Sequence, residues 1–166
     1  MSLPPRVTSG PERVLLESML DRQRAGLVET VHGLTDEQAR RRLVQSVTTP
    51  ISLLKHAAAA ERMWFHGFLQ SGGDTPRPGE TDSFAVGPDE SLADVIAEFE
   101  RASQQSRLIA AQFDLDDTKD HPRVGVLSVR WLYLLLIEEF ARHAGHSDIL
   151  CEQISATKAD GSAACP

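Results

Sequence analysis

Cysteine is nearly absent, with Cys151 and Cys165 alone in 166 residues. A disulfide framework needs more cysteines and a secretory route, so both are expected to be reduced. The opening stretch, Met1 to Gly10, shows no charged-then-apolar signal pattern. No apolar run reaches membrane-spanning length: Trp131 to Ile137 is the longest, and Glu138 and Glu139 follow it directly. The expected location is cytoplasmic, with no membrane partner. Positive charge is scarce too. Seventeen Lys and Arg stand against 24 Asp and Glu, a formal net charge of −7, and the densest basic stretch is Arg40-Arg41-Arg42. That balance argues against nucleic acid as a partner, and three arginines on one short helix read as a solvated face. There is no glycine-rich phosphate loop, no internal repeat, and no strand-like alternation strong enough to compete with the helical signal.

What is present is helical. Residues 1–10 read as a flexible lead, and from Pro11 Leu16, Leu20, Leu27, Val31 and Leu34 fall on one stripe, interrupted by Gln23, with Gly33 fitting the helix end. Thr35-Asp36-Glu37-Gln38 is a capping-box pattern that opens a short helix to about Arg42. Thr49-Pro50, an N-cap hydroxyl followed by proline at the first helical position, opens the next, to about Leu69. Its apolar positions include Leu53, Leu54, Ala57, Ala58, Ala60, Met63, Trp64 and Phe68, with His56 among them. Residues 72–89 hold three prolines and four glycines and read as a long loop anchored by Phe84 and Val86. Asp89 or Ser91 caps a third long helix through Ile109. A second loop, Leu115 to Val126, leads to Ser128, which caps the last helix through Ile154. The tail, 156–166, reads as disordered. Four long amphipathic helices with two long connections make the expected fold all-α, a four-helix bundle over residues 11–155.

The last helix carries the chemistry. Glu139, His143 and His146 are spaced by four and three residues, so at about 100° per residue both imidazoles lie within roughly 40° of the carboxylate. On a helix built to be buried, such groups need a partner or a ligand. One account is a metal site completed from another helix. His56 is the best candidate, because its neighbours must face the core; His32 precedes a helix-ending glycine, His66 falls on the polar side, and His121 sits in a proline loop. The plainer account is an ordinary i,i+4 pair of Glu139 with His143, and a buried core histidine at 56. Spacing leaves both open.

Three stretches bear on the choice: Leu53-Leu54-Lys55-His56-Ala57-Ala58-Ala59-Ala60-Glu61-Arg62-Met63-Trp64-Phe65, Ser128-Val129-Arg130-Trp131, and Glu138-Glu139-Phe140-Ala141-Arg142-His143-Ala144-Gly145-His146-Ser147-Asp148-Ile149-Leu150. In this order, over about residues 11–155, they resemble the DinB-like superfamily, and within it the actinobacterial branch grouped with mycothiol S-transferases. The resemblance implies a four-helix bundle holding a metal through one histidine of helix two and a pair from helix four, here His56, Glu139 and His143. His146 falls where many relatives carry another histidine, either an outer group or an alternative ligand. Two positions depart from the pattern: Leu135 where a histidine is expected, and Cys151 where an arginine is usual.

The resemblance also implies the reaction. A divalent metal, zinc preferred, with nickel, manganese or iron suiting the same ligands, would activate mycothiol or a related thiol for conjugation to an electrophilic small molecule. Arg130 and Arg142 are candidate contacts for the thiol, though either also suits a surface ion pair. Trp64 and Trp131 read chiefly as core packing. Two other classes compete. A metal-dependent hydrolase would need a general base, for which Glu61 is the nearby candidate on helix two, pointing about 140° from His56. A non-catalytic helical protein that dimerises or binds a partner would need no open metal position; a homodimer is compatible with any of the three.

Overall fold

The structure is a computed structural model and describes residues 3–72 and 82–161. The chain is mostly helical with one small hairpin. Helix α1 spans Glu12–Thr30, α2 Asp36–Ala39, α3 Pro50–Glu61, α4 Leu92–Ala110 and α5 Val129–Gly161. Between α4 and α5 lie β1, Thr118–His121, and β2, Gly125–Ser128. Residues 73–81 of the long connection, and Cys165 in the tail, lie outside the described residues.

Capping chemistry sets most helix starts. Thr35 with Gln38, and Thr49 with Ser52, each form a reciprocal capping box, and Ser91 with Asp94 does the same for α4. Ser91, not Asp89, is therefore the cap. Ser128 Oγ accepts from the Trp131 N–H at 3.2 Å at the head of α5. Gly33, with φ of 82°, supplies the left-handed turn after α1. The short helix α2 stops at Ala39 rather than Arg42, and α5 continues beyond Ile154 to Gly161.

The helix that begins at Pro50 changes form part-way. Residues Arg62–Gln70 continue α3 as a π-helical segment. Wider turns advance each residue by a smaller angle, which rotates the apolar face relative to an α-helical reading. Phe65, Phe68 and Leu69 become buried while Met63 and Trp64 stay half-buried, so the stripe expected from sequence is right for Phe68 and displaced for the other two.

The strands are a correction. The stretch read as a loop contains an antiparallel pair, Thr118 opposite Ser128 through His121 opposite Gly125. Its three-residue connection starts with Pro122, and Gly125 takes a φ of 90°. His121 is buried, and its Nδ1 accepts from the N–H groups of Arg123 and Val124 at 3.2 and 3.3 Å. A hairpin this short has too few alternating residues to register as a strand pattern.

Helix α1 packs along α5, and α3 packs on both α4 and α5. Leu20 and Leu27 of α1, Leu54 of α3, Phe99 of α4 and Leu132, Leu136 and Phe140 of α5 are all but fully buried. The rings of Phe99 and Phe140 meet edge to face at 5.6 Å. One core position departs from the apolar stripe of α1. Arg24 is 6% exposed and forms a two-pronged ion pair with Glu61, Nε to Oε1 at 2.7 Å and Nη2 to Oε2 at 2.9 Å. Asp21 and Ser103 complete its surroundings, at 2.7 Å from Arg24 Nη1 and 3.4 Å from Glu61 Oε1 respectively. A buried charge pair of this kind is tolerated only because nearly every donor and acceptor is matched.

Candidate metal centre

His56 lies in the second turn of α3, and Glu139 and His143 lie one turn apart on α5. Because α3 packs on α5, the row on α5 meets His56 from across the interface. Both imidazoles turn their Nε2 atoms to one carboxylate oxygen: Glu139 Oε1 is 3.1 Å from His56 Nε2 and 3.0 Å from His143 Nε2. The two rings meet edge to face at 4.9 Å. His143 is buried, and His56 and Glu139 are half-buried, so the cluster borders solvent on one side.

The residues expected to form the triad are brought together. Their candidate ligand atoms lie within 4.8 Å of one another, the one such group of three or more among the described residues. A tetrahedral ion with bonds near 2.0–2.1 Å holds neighbouring ligand atoms about 3.3 Å apart. The two nitrogen-to-oxygen separations are close to that spacing, and two imidazoles with one carboxylate suit a borderline divalent cation. The donor set therefore fits a metal of the zinc type.

His146 is exposed and stands outside the cluster, its ring centre 5.7 Å from that of His143. Of the two arginines, Arg142 is beside the site: Nη1 is 4.0 Å from Glu139 Oε2, while Nη2 donates to Glu138 at 2.6 Å. Arg130 is not. It lies nine residues before Glu139, about 13 Å away along the helix axis, and is held by Glu12, at 2.7 Å, and by Asp116. The remaining histidines are occupied elsewhere or exposed: His66 Nε2 lies 3.2 Å from Ala102 O and Ser106 Oγ, His121 caps the hairpin turn, and His32 is exposed. Glu61 is fully buried against Arg24, which takes away the base that a hydrolytic reading required. Cys151 is half-buried, and burial pushes its thiol up from the ordinary value, away from the reactive thiolate.

Two residues of the long connection reach the centre. Ser83 Oγ is 2.8 Å from His56 Nδ1, and Phe84 stacks on the His56 ring at 4.2 Å with the planes 8° apart. Phe84 was legible as an anchor, an aromatic in a Gly/Pro-rich stretch, but not as a partner of His56. Ser83 carried no signal. A separate cavity of about 750 Å³ opens between α1 and α4, lined by Val28, Phe99, Arg101 and Arg107 among others, and none of the triad borders it.

Hydrogen bonds from His143 and then His56 hold the Glu139 carboxyl well below the usual carboxylate range, outweighing the opposing effect of burial. A folded-state pKa below the unfolded value, about 4.3 for glutamate, contributes stability that is complete above the unfolded value. It is lost as pH falls toward the folded one. In metal-free protein the stability advantage of wild type over Glu139→Gln is thus expected to shrink steadily as pH falls below about 4. Urea unfolding of both proteins at stepped pH checks this; a gap that widens toward acid would contradict the assignment.

Residues 15–156 match the family model described as mycothiol-S-transferase. The chain belongs to that family. Membership places it in the mycothiol S-transferase branch of the DinB-like proteins, a family of mycothiol-related transferases, and the matched span takes in His56, Glu139 and His143. No curated protein matches the chain. Among the described residues no helix is long and apolar enough to cross a membrane.

Proposed function

We propose that this mycothiol-S-transferase family member is a metal-dependent transferase, built on a four-helix bundle of α1, α3, α4 and α5, that joins a mycothiol-like thiol to an electrophilic small molecule. The observation that carries the reading is the convergence of His56, Glu139 and His143 from two helices within a chain of this family. In this reading the three hold a divalent ion, zinc by preference. What such an ion supplies is a thiolate at neutral pH, where a free thiol is largely protonated and a poor nucleophile.

The protein's own residues set the conditions for that chemistry. Glu139 brings one negative charge and the neutral imidazoles none, so a divalent ion held there keeps one net positive charge and favours an anionic sulfur. The apolar flank formed by Phe84 limits water at the His56 side of the centre. Arg142, exposed and already beside Glu139, is placed to hold a polar group of the thiol. In each conjugation the S–H bond is exchanged for an S–C bond: the thiol proton passes to solvent, and the electrophilic carbon releases its leaving group with the bonding electron pair, as chloride for a chlorobimane-type reagent.

The test is direct. Metal-free protein reconstituted with one equivalent of Zn²⁺ is expected to accelerate conjugation of mycothiol to a monochlorobimane-type electrophile, followed by fluorescence. With metal content verified by elemental analysis, a rate equal to the protein-free background would overturn the transferase reading.

A further inference from the structure

The two imidazoles of the centre are not supported alike. The Nδ1 atom of His143 is buried and has no hydrogen-bond partner in the described structure. The Nδ1 of His56 meets Ser83 Oγ at 2.8 Å, and the ring face is covered by Phe84. The one hydrogen-bond partner shown for the His143 ring is Glu139, whereas the His56 ring is bonded both to Glu139 and to a residue 27 positions away.

That segment is itself fastened. Arg40 Nη2 donates to the carbonyls of Gly87, at 2.6 Å, and of Glu90. Glu90 accepts from Lys55 and, through Oε2, from the Gly87 N–H at 2.6 Å. Lys55 also reaches Glu98 at 2.8 Å. The Leu92 N–H donates to Asp36 Oδ1 at 2.7 Å, tying the head of α4 to α2. Lys55 is the residue before His56, so the contacts that fix the segment begin on the helix that bears the ligand. Arg40, part of the basic stretch that reads from sequence as a solvated face, is half-buried in this clamp.

Resting on the metal-centre reading above, we propose that Ser83 is a positioning residue for His56, holding its ring in both the free and the metal-loaded protein by reversing the direction of one hydrogen bond. A hydroxyl is both donor and acceptor. With a single proton on the ring, the contact to the Glu139 carboxylate requires that proton on Nε2, and Nδ1 then accepts from the Ser83 O–H. Were Nε2 to serve as a ligand it would carry no proton, and the single ring proton would sit on Nδ1. The Ser83 hydroxyl then rotates and accepts from Nδ1–H. A carboxylate or a backbone carbonyl in that place could only accept, and would favour one of the two states. The stacked Phe84 ring opposes rotation of the imidazole while the proton changes sides.

The experiment compares wild type, Ser83→Ala and Ser83→Thr in competition titrations of Zn²⁺ against a chromophoric chelator. Nitrogen-15 NMR of the histidine rings, before and after Zn²⁺, supplies the second readout. Ser83→Ala is expected to weaken Zn²⁺ binding by roughly 10- to 100-fold, the usual cost of losing an outer hydrogen bond to a ligating histidine. Ser83→Thr, which keeps the hydroxyl, is expected to restore it. The metal-free melting temperature of Ser83→Ala is expected to fall by no more than about 5 °C, the worth of one part-buried hydrogen bond. In wild type the NMR is expected to show His56 passing from the Nε2–H to the Nδ1–H form on metal addition. If wild type binds Zn²⁺ and Ser83→Ala binds it equally well, or if the tautomer does not change, this inference falls and the metal centre stands. If wild type takes up no Zn²⁺, the metal-centre reading falls and the role of Ser83 with it.

Discussion

Replacing His56 or His143 with alanine, or Glu139 with glutamine, is expected to remove both metal binding and conjugation. The reason is geometric: all three groups point to one place, and none of the other histidines stands ready to substitute. His146 is exposed with its ring centre 5.7 Å from that of His143, and His66 and His121 are committed to other contacts. Each substitution should lower Zn²⁺ affinity by more than about 100-fold, the upper end of what loss of an outer partner costs. Thermal unfolding supplies a readout independent of catalysis. A ligand that binds only the folded state at 100 times its dissociation constant adds about 2.7 kcal/mol. For a chain of this size that raises the melting temperature by roughly 5–10 °C. Wild type should show this rise on adding Zn²⁺ and the three variants should not. A variant that keeps the full rise would remove that residue from the centre. His146→Ala offers the contrast, since its position predicts a small effect on the same measurement.

The second large effect belongs to stability alone. Arg24→Ala leaves Glu61 as an unpaired charge in the core, and Glu61→Ala leaves Arg24 with only Asp21. Breaking a buried pair in this way costs about 3–5 kcal/mol. The double substitution Arg24→Met with Glu61→Leu removes both charges while keeping similar volume, and should recover most of the loss or exceed wild type. Urea unfolding of wild type, Arg24→Ala, Glu61→Ala and the Arg24→Ala/Glu61→Ala double variant, analysed as a double-mutant cycle, measures the coupling, and the Met/Leu double variant is compared with wild type directly. Equal stability of Arg24→Ala and wild type would show that the pair is not held out of water as the structure places it. Because the pair lies on the face of α3 away from His56, Zn²⁺ affinity of the folded double variant should match wild type.

The helical character and most helix starts could be read from the chain because they depend on neighbours in sequence. A cap at Thr49 or Ser91 needs only the residue three positions on, and the burial of Leu20, Leu27 and Leu54 follows from spacing along one helix. The hairpin after α4 was missed because four-residue strands carry almost no periodic signal, and the π-helical segment because it breaks the period itself. Arg40 reads from sequence as surface, and Arg24 gives no sign of its burial, because an arginine's burial depends on whether a partner waits for it, and those partners come from distant segments.

The chemical inventory, the i,i+4 alignment of Glu139 with His143 and the family resemblance were set by sequence alone. Whether those two residues were an ordinary pair or part of a three-residue cluster was not. His56 is 83 residues from Glu139 and Ser83 is 27 from His56, and periodicity says nothing across such gaps. Only the packing of α3 on α5 and the clamp on the Ser83 segment bring these atoms within hydrogen-bonding distance, because side-chain reach is a few ångströms and the backbone must first deliver the residues to that range.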